Sequence, residues 1–391
     1  MGVDAADFWA QYDHMYIPEL GHNVSVTDYA HTLYIRASWT DFNPQEDVYG
    51  WKIDSNLRAY IEGAYQRNMR LAFRVVVDSR DKRTEFTPQF VKDAGAKGFM
   101  NKGKWSPYSD DPVFQKYYTK FVKALAKDFN DPSKVEFIDG FGLGKWGEYH
   151  TMIYSTGDDT PKKAVFNWVT DIYSQAFDKV PVVINYHRWI GAGKDWVDDE
   201  HFAADSEEML EEAIKKGYSL RHDAFGMTTY YGSWERRFAE KYRNICPIIM
   251  EGGWIVKSHN YWQDPRGYRK DSHEDVRRGE FDDSKEAHVN MMDFRFGDTK
   301  SWFKDAFDLV RRFLREGGYR LYPSEISLPL EVSKKTPPTI KHCWNNLGWG
   351  YCPTNIPQWN QKYKVAFALL DSETNEVRYT FVDTDTDLSK W

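Results

Sequence analysis

Seven short apolar runs are spread along the chain, and most are followed by a stretch whose apolar residues recur at helical spacing. They are LYIRA from Leu33, MRLAFRVVV from Met69, VEFIDGF from Val135, PVVINYH from Pro181, AFGMTTY from Ala224, PIIME from Pro247 and VNMMDFRFG from Val289. Strand and helix taken in turn build a parallel sheet, because each return to the starting end of the next strand needs a crossover of a helix's length. Runs this apolar suit a sheet covered on both faces. The expected fold class is α/β, a (β/α)8 TIM barrel over residues 1–316. A closed barrel needs an eighth strand, and the first 30 residues offer no convincing one. The opening strand is therefore either irregular and hidden there or lies before the first residue. From Gly317 the pattern changes to short alternating runs, YRLYPSEISLPLEV, YKVAFALLD and EVRYTFVDT, separated by Pro and Gly. Residues 317–391 read as a β-rich module with too few strands to close a sandwich, so it is either cut short or leans on the barrel.

Helices are predicted from Asp54 to about Arg67, from the Asp111-Pro112 start to Phe129, and over Ala164–Phe177, Ser206–Lys216 and Ser301–Glu316. In barrels the loops that follow the strands assemble the site, and two such loops are unusual. VEFIDGF runs into GLGKWGEYH, crowded with glycine and aromatic residues around Glu148, and PIIME ends on Glu251 followed by two glycines and Trp254. A lone glutamate of this kind could simply pair with a nearby Arg or Lys. Two of them, each beside Gly and Trp, match what cleaving a glycosidic bond requires: one carboxyl to protonate the leaving oxygen and one to attack or to activate water. Arg36 and Arg74 lie inside buried-looking strands and must find a carboxylate or a ligand there. Asn185, His187 and Trp189 gather at the end of PVVINYH, as polar groups of a sugar site would, although His187 fits a satisfied rim histidine equally well.

Of the 391 residues 17% are aromatic, with 16 Trp and 25 Tyr, more than core filling requires and suited to stacking on sugar faces. The formal charge of -7 argues against a nucleic-acid partner, which would call for a basic patch. No apolar run reaches the roughly 20 residues that span a bilayer, and no spacing calls for a metal or another cofactor. Cys343 and Cys352 flank WNNLGWGY and either close that loop as a disulfide or remain two thiols. A metal-dependent hydrolase built on Asp78, His150 and His187 lacks ligand spacing and ranks last.

With LYIRA counted as the second strand, Glu148 follows the fourth and Glu251 ends the seventh, and in this the chain resembles the clan A glycoside hydrolases. YIRASWTDFNPQEDVYGW is similar to the Arg, Trp, Pro-x-Glu, Tyr-x-Trp segment of family 42 β-galactosidases and of related bacterial secreted barrel-plus-sandwich proteins. The resemblance covers about 33–253. It implies a retaining β-glycoside hydrolase acting on a poly- or oligosaccharide, secreted or periplasmic, with Glu251 as nucleophile and Glu148 as acid and then base. It further implies that Arg36 is the clan's strand-two arginine and that Tyr230 or Tyr231 donates to the nucleophile. Trp39, Trp146, His150, Asn185, His187, Trp254 and Trp262 are the remaining substrate-binding candidates. Gly147 stands where the clan carries Asn, which leaves the contact to the sugar 2-hydroxyl unassigned. The alternative is a carbohydrate-binding protein on a barrel scaffold that has lost catalysis.

Overall fold

The computed structural model describes residues 3–80, 82, 84–193, 200–226, 230–253, 273–294, 296–331, 333, 335 and 338–391. Helix Ala5–Asp13 leads into a small antiparallel hairpin of β1 (Met15–Ile17) and β2 (His22–Val24). The main sheet starts with β3 (Thr32–Ser38) and β4 (Arg70–Val76), and a second hairpin, β5 (Gly98–Asn101) and β6 (Lys104–Pro107), lies in the connection that follows. It continues through β7 (Val135–Asp139), β8 (Val182–Asn185), β9 (Tyr218–Phe225), β10 (Ile248–Gly252) and β11 (Met291–Asp293).

All pairings within this seven-stranded sheet are parallel, and the strands succeed one another in chain order from β3 to β11 without a reversal. That is the circuit of a TIM barrel lacking one strand, and among the described residues β3 and β11 are its two edges. The segment ahead of β3 supplies a helix and the β1–β2 hairpin in place of an opening strand of the sheet.

Helices fill the crossovers: Asn56–Gln66, Pro112–Phe129, Lys162–Ala176, Glu200–Lys215, Ser233–Tyr242 and His273–Glu286. Local chemistry fixes the longest of them. Asp111 accepts from the Phe114 amide at 2.8 Å, and Pro112 occupies the first turn, where no N–H is needed. Its buried face carries Phe114, Tyr118, Phe121 and Leu125. The predicted helix Ser301–Glu316 is two helices, Phe296–Asp305 and Phe307–Glu316, broken at Ala306.

The fifth strand is not where the sequence places it. The predicted run starts at Ala224, whereas β9 begins at Tyr218 and ends at Phe225, with all eight residues buried. Past residue 317 come two antiparallel pairs, β12 (Leu321–Ser327) with β13 (Lys341–Asn346) and β14 (Val365–Leu370) with β15 (Val377–Asp383). This part leans on the barrel through Trp349, whose ring lies 5.3 Å from Phe281 and whose Nε1 donates to the Val289 carbonyl at 2.9 Å. Cys343 is exposed, Cys352 is buried, and both are free thiols.

Candidate active site

Parallel register lines up charged side chains inside the curl of the sheet. Arg36 on β3 is level with Arg74 on β4, and Arg74 with Asp139 on β7. The Arg74 Nε donates to Asp139 at 2.7 Å, and the Tyr34 hydroxyl donates to the same carboxylate oxygen at 2.9 Å. From β9, Arg221 reaches Asp139 at 3.5 Å and also contacts Glu251. Arg74, Asp139 and Arg221 are essentially without solvent contact, and although burial works against its charge, Arg74 is held more firmly protonated by Asp139, Tyr34 and Glu148.

Glu148 and Glu251 meet over this layer. One nitrogen of Arg36, Nη1, donates to Glu148 Oε1 at 3.3 Å and to Glu251 Oε1 at 3.2 Å. Arg74 reaches Glu148 Oε1 at 3.1 Å and Glu251 Oε2 at 3.7 Å. His150 Nε2 lies 3.3 Å from Glu148 Oε2. Both glutamates are buried, while the Arg36 side chain keeps 29% of its surface. Burial first, and then the charge of Asp223, push the Glu148 carboxyl above the usual carboxylate range.

A tightly wound loop sets the position of Glu148. Gly142, Gly144, Trp146, Gly147, Tyr149 and Thr151 all have positive φ. A side chain at Gly142 would put its Cβ 1.9 Å from the Val75 carbonyl oxygen, so the loop lies directly against the end of β4. Three non-glycine residues in the left-handed region cost of order 1–3 kcal/mol each, a price that the surrounding packing offsets. Tyr149, fully buried against Phe141 and Phe166, is part of that packing.

The other predicted residues divide into three groups. His150, His187 and Tyr230 come together beside Glu148, with ring centres 5.6–6.0 Å apart. His187 Nδ1 accepts the Trp189 amide at 3.1 Å, so its proton is on Nε2, which donates to the Glu148 carbonyl at 2.8 Å. Asn185 donates to Asp223 at 3.2 Å, and its own buried carbonyl oxygen has no partner among the described residues. Trp146 is half-buried against His150 with the Lys145 ammonium 4.3 Å over its ring.

Two predicted binding residues are core instead. Trp39 is fully buried among Phe90, Phe114, Tyr118 and Phe121, where an apolar ring gains more than at a polar rim. Tyr231 stacks on Phe225, and its hydroxyl accepts from Tyr186 at 3.3 Å rather than donating to Glu251. Trp254 and Trp262 lie outside the described residues. Asp78 is paired with Arg80 at 2.7 Å, and no cluster that could hold a metal ion occurs among the described residues.

The sequence reading passed over Tyr34, Asp139, Arg221, His222 and Asp223. Charged residues inside strands were the available signal, as Asp139 in VEFID and Arg221 and Asp223 in YSLRHDAF show. A cavity of about 510 Å³ runs along the seam between the edge strands β3 and β11 and reaches the carboxylate cluster through Arg36 and Arg221. Tyr12, Tyr29, Tyr34, Met291 and Phe294 are among its walls, and no described wall residue is the tryptophan that a sugar platform suggests.

No family model matches the chain, and no curated protein matches it. Solved structures similar to it include an exo-β-1,4-mannosidase, Op5Man5, from Opitutaceae bacterium strain TAV5 (12% identity, 73% of this chain and 47% of that one, TM-score 0.41). A xylanase B from Clostridium stercorarium F9 matches at 13% identity over 74% of this chain and 87% of that one, TM-score 0.40. Endo-glycoceramidase II from Rhodococcus sp. matches at 14% over 83% and 78%, TM-score 0.45. The chain spans about half the length of the mannosidase. All three names are those of glycoside hydrolases; at TM-scores below 0.5 the site has to be read from its own geometry.

Proposed function

We propose that the protein is a retaining β-glycoside hydrolase of the clan A type, acting on a poly- or oligosaccharide by double displacement. Glu251 attacks the anomeric carbon, and Glu148 protonates the leaving oxygen and then activates water. The observation that carries this reading is the single Arg36 nitrogen shared by the two carboxyl groups. Oxygens bound to one nitrogen can be no further apart than the two bonds laid end to end, which reaches only the bottom of the roughly 6.5–9.5 Å of an inverting pair. The N–H bonds of that nitrogen diverge in a planar fork, which draws the pair toward the roughly 5–5.5 Å of a retaining one.

The electrostatics support the division of roles. Glu251 contacts Arg36, Arg74 and Arg221, surroundings that favour an ionised nucleophile. Glu148 is raised, as an acid must be. With no Asn at position 147, this reading assigns the sugar 2-hydroxyl contact to Asn185, whose buried carbonyl oxygen finds no partner among the described residues. Trp146 is the aromatic candidate for contact with a sugar ring. Screening aryl β-glycosides and polysaccharides, with the anomer of the first product read by NMR, tests the proposal. Turnover with retained configuration is expected, whereas binding without turnover would leave a carbohydrate-binding protein.

A further inference from the structure

β10 ends at Gly252, one residue past Glu251, and its pairing is irregular just there. Met250 is level with His222 and Gly252 with Phe225, so β9 takes three steps where β10 takes two. On the other side β11 ends level with Glu251, at Asp293. Irregular pairing of this kind bends a strand and re-aims its side chains, and it interrupts the ladder that would otherwise hold the strand end. A carboxylate takes over that task. Glu280, on the helix His273–Glu286 that connects β10 to β11, accepts the Gly253 amide at 2.8 Å.

Glu280 is itself fixed in place. Its carboxylate receives Arg277 Nη1 at 2.5 Å, while Arg277 Nε donates to Ser301 Oγ at 2.9 Å and the guanidinium lies 5.1 Å over the Trp302 ring. The two charges have no solvent contact and balance each other, and bonds to ionised groups are roughly twice as strong as neutral ones. Gly252 lets the carboxylate come close. A Cβ there would lie 2.8 Å from Glu280 Oε1, and since the φ of Gly252 is not in the left-handed region, it is the contact and not the backbone conformation that calls for glycine.

We propose that Glu280 is a positioning residue for Glu251: by holding the Gly253 amide and packing on Gly252 it fixes the end of β10, and with it the line along which the Glu251 carboxylate approaches the anomeric carbon. This rests on the reading of Glu251 as the nucleophile of a glycoside hydrolase. It also explains the two glycines after Glu251, one making room for a buried carboxylate and the next giving it an N–H. The chain of support runs from Ser301 and Trp302 through Arg277 and Glu280 to the backbone beside the nucleophile, so a helix two elements away sets the aim of the attacking group.

Nuclear magnetic resonance of the whole protein tests the contact without substrate. Only Gly253 and Gly318 follow another glycine in the sequence, so labelling glycine with carbon-13 at the carbonyl and nitrogen-15 at the amide isolates these two amides. In the wild type the Gly253 amide should be shifted downfield and protected from exchange. Arg277→Met/Glu280→Leu removes the ion pair as a whole and so strands no buried charge. In this variant the Gly253 signal should move upfield and lose its protection while Gly318 stays. A Gly253 amide that is unprotected in the wild type, or unmoved in the variant, would overturn the proposal.

Kinetics then separate positioning from mere support of the fold. On an aryl β-glycoside the same variant should lose about 10²-fold in kcat with KM within about threefold of the wild type, as expected when a reacting group is displaced by about 1 Å. When Glu251→Ala is rescued by azide, the attacking group is no longer carried by β10, and adding Arg277→Met/Glu280→Leu should cost less than about threefold. A wild-type kcat in the variant, or an equal loss in the azide-rescued background, would overturn the positioning role. A Gly253 signal that responds as expected in a protein with no turnover on any glycoside would uphold the hold on β10 and sink the hydrolase reading alone.

Discussion

Arg74 and Asp139 stand opposite each other in register on β4 and β7, joined by a 2.7 Å bond between side chains that have no solvent contact. Removing one partner strands the other in a medium that cannot solvate it. Arg74→Met should therefore cost about 3–5 kcal/mol of stability, read from urea unfolding. The double variant Arg74→Met/Asp139→Leu should recover part of that loss. A cost under about 1 kcal/mol would show that water reaches this layer.

On an aryl β-glycoside, Glu148→Gln and Glu251→Gln should each lower kcat by about 10²–10⁴-fold with the fold intact by circular dichroism. Azide should rescue Glu251→Gln and give a product of inverted configuration. Rescue confined to Glu148→Gln would exchange the two roles.

Trp39 and Trp146 should fail in different ways. Trp39 fills the core, so Trp39→Ala should cost about 3–5 kcal/mol while leaving KM unchanged in the fraction that stays folded. Trp146 is half-buried on the loop carrying Glu148, and Trp146→Ala should raise KM with little change in unfolding midpoint. An unaltered KM in Trp146→Ala would remove it from the substrate contacts.

His222 gives a stability signature in acid. Its ring titrates near 6.5 when unfolded and near 3 when buried, so the unfolded chain takes up the proton first. Its contribution is complete above pH 6.5 and declines as the pH falls toward 3, by up to about 1.4 kcal/mol per pH unit. Comparing the wild type with His222→Gln across this window isolates the effect. Parallel stability curves for the two would show that the ring is already solvated.

Where the strands are apolar, the sequence showed them well. Thr32–Ser38, Arg70–Val76 and Ile248–Gly252 carry long apolar runs and sit where the pattern puts them, and the glutamates could be found because each follows such a run. Tyr218–Phe225 was hidden for the opposite reason. YSLRHDAF holds Arg221, His222 and Asp223, which break the apolar pattern of a buried strand, yet every residue is buried, with Arg221 paired to Asp139 on β7 and Asp223 accepting from Asn185 on β8. Partners distant in sequence are invisible to local pattern, and the polar residues that obscured the strand are the ones that shape the site. Trp39 misled in the other direction. Its place at a strand end made it a substrate-binding candidate, whereas the structure packs it among Phe90, Phe114, Tyr118 and Phe121.

A barrel closed all round has no end from which to fray, whereas this sheet has two among the described residues, at β3 and β11. Arg36 belongs to one edge strand, and Glu251 to β10, the neighbour of the other edge, so their 3.2 Å contact spans the seam. It works as a clasp. Opening the seam would pull Arg36 away from the carboxylates, and a ligand gripped there would hold the two ends of the circuit together. Occupancy should therefore slow unfolding itself as well as shift its equilibrium, and the protein's lifetime under heat or protease becomes a measure of what it has bound.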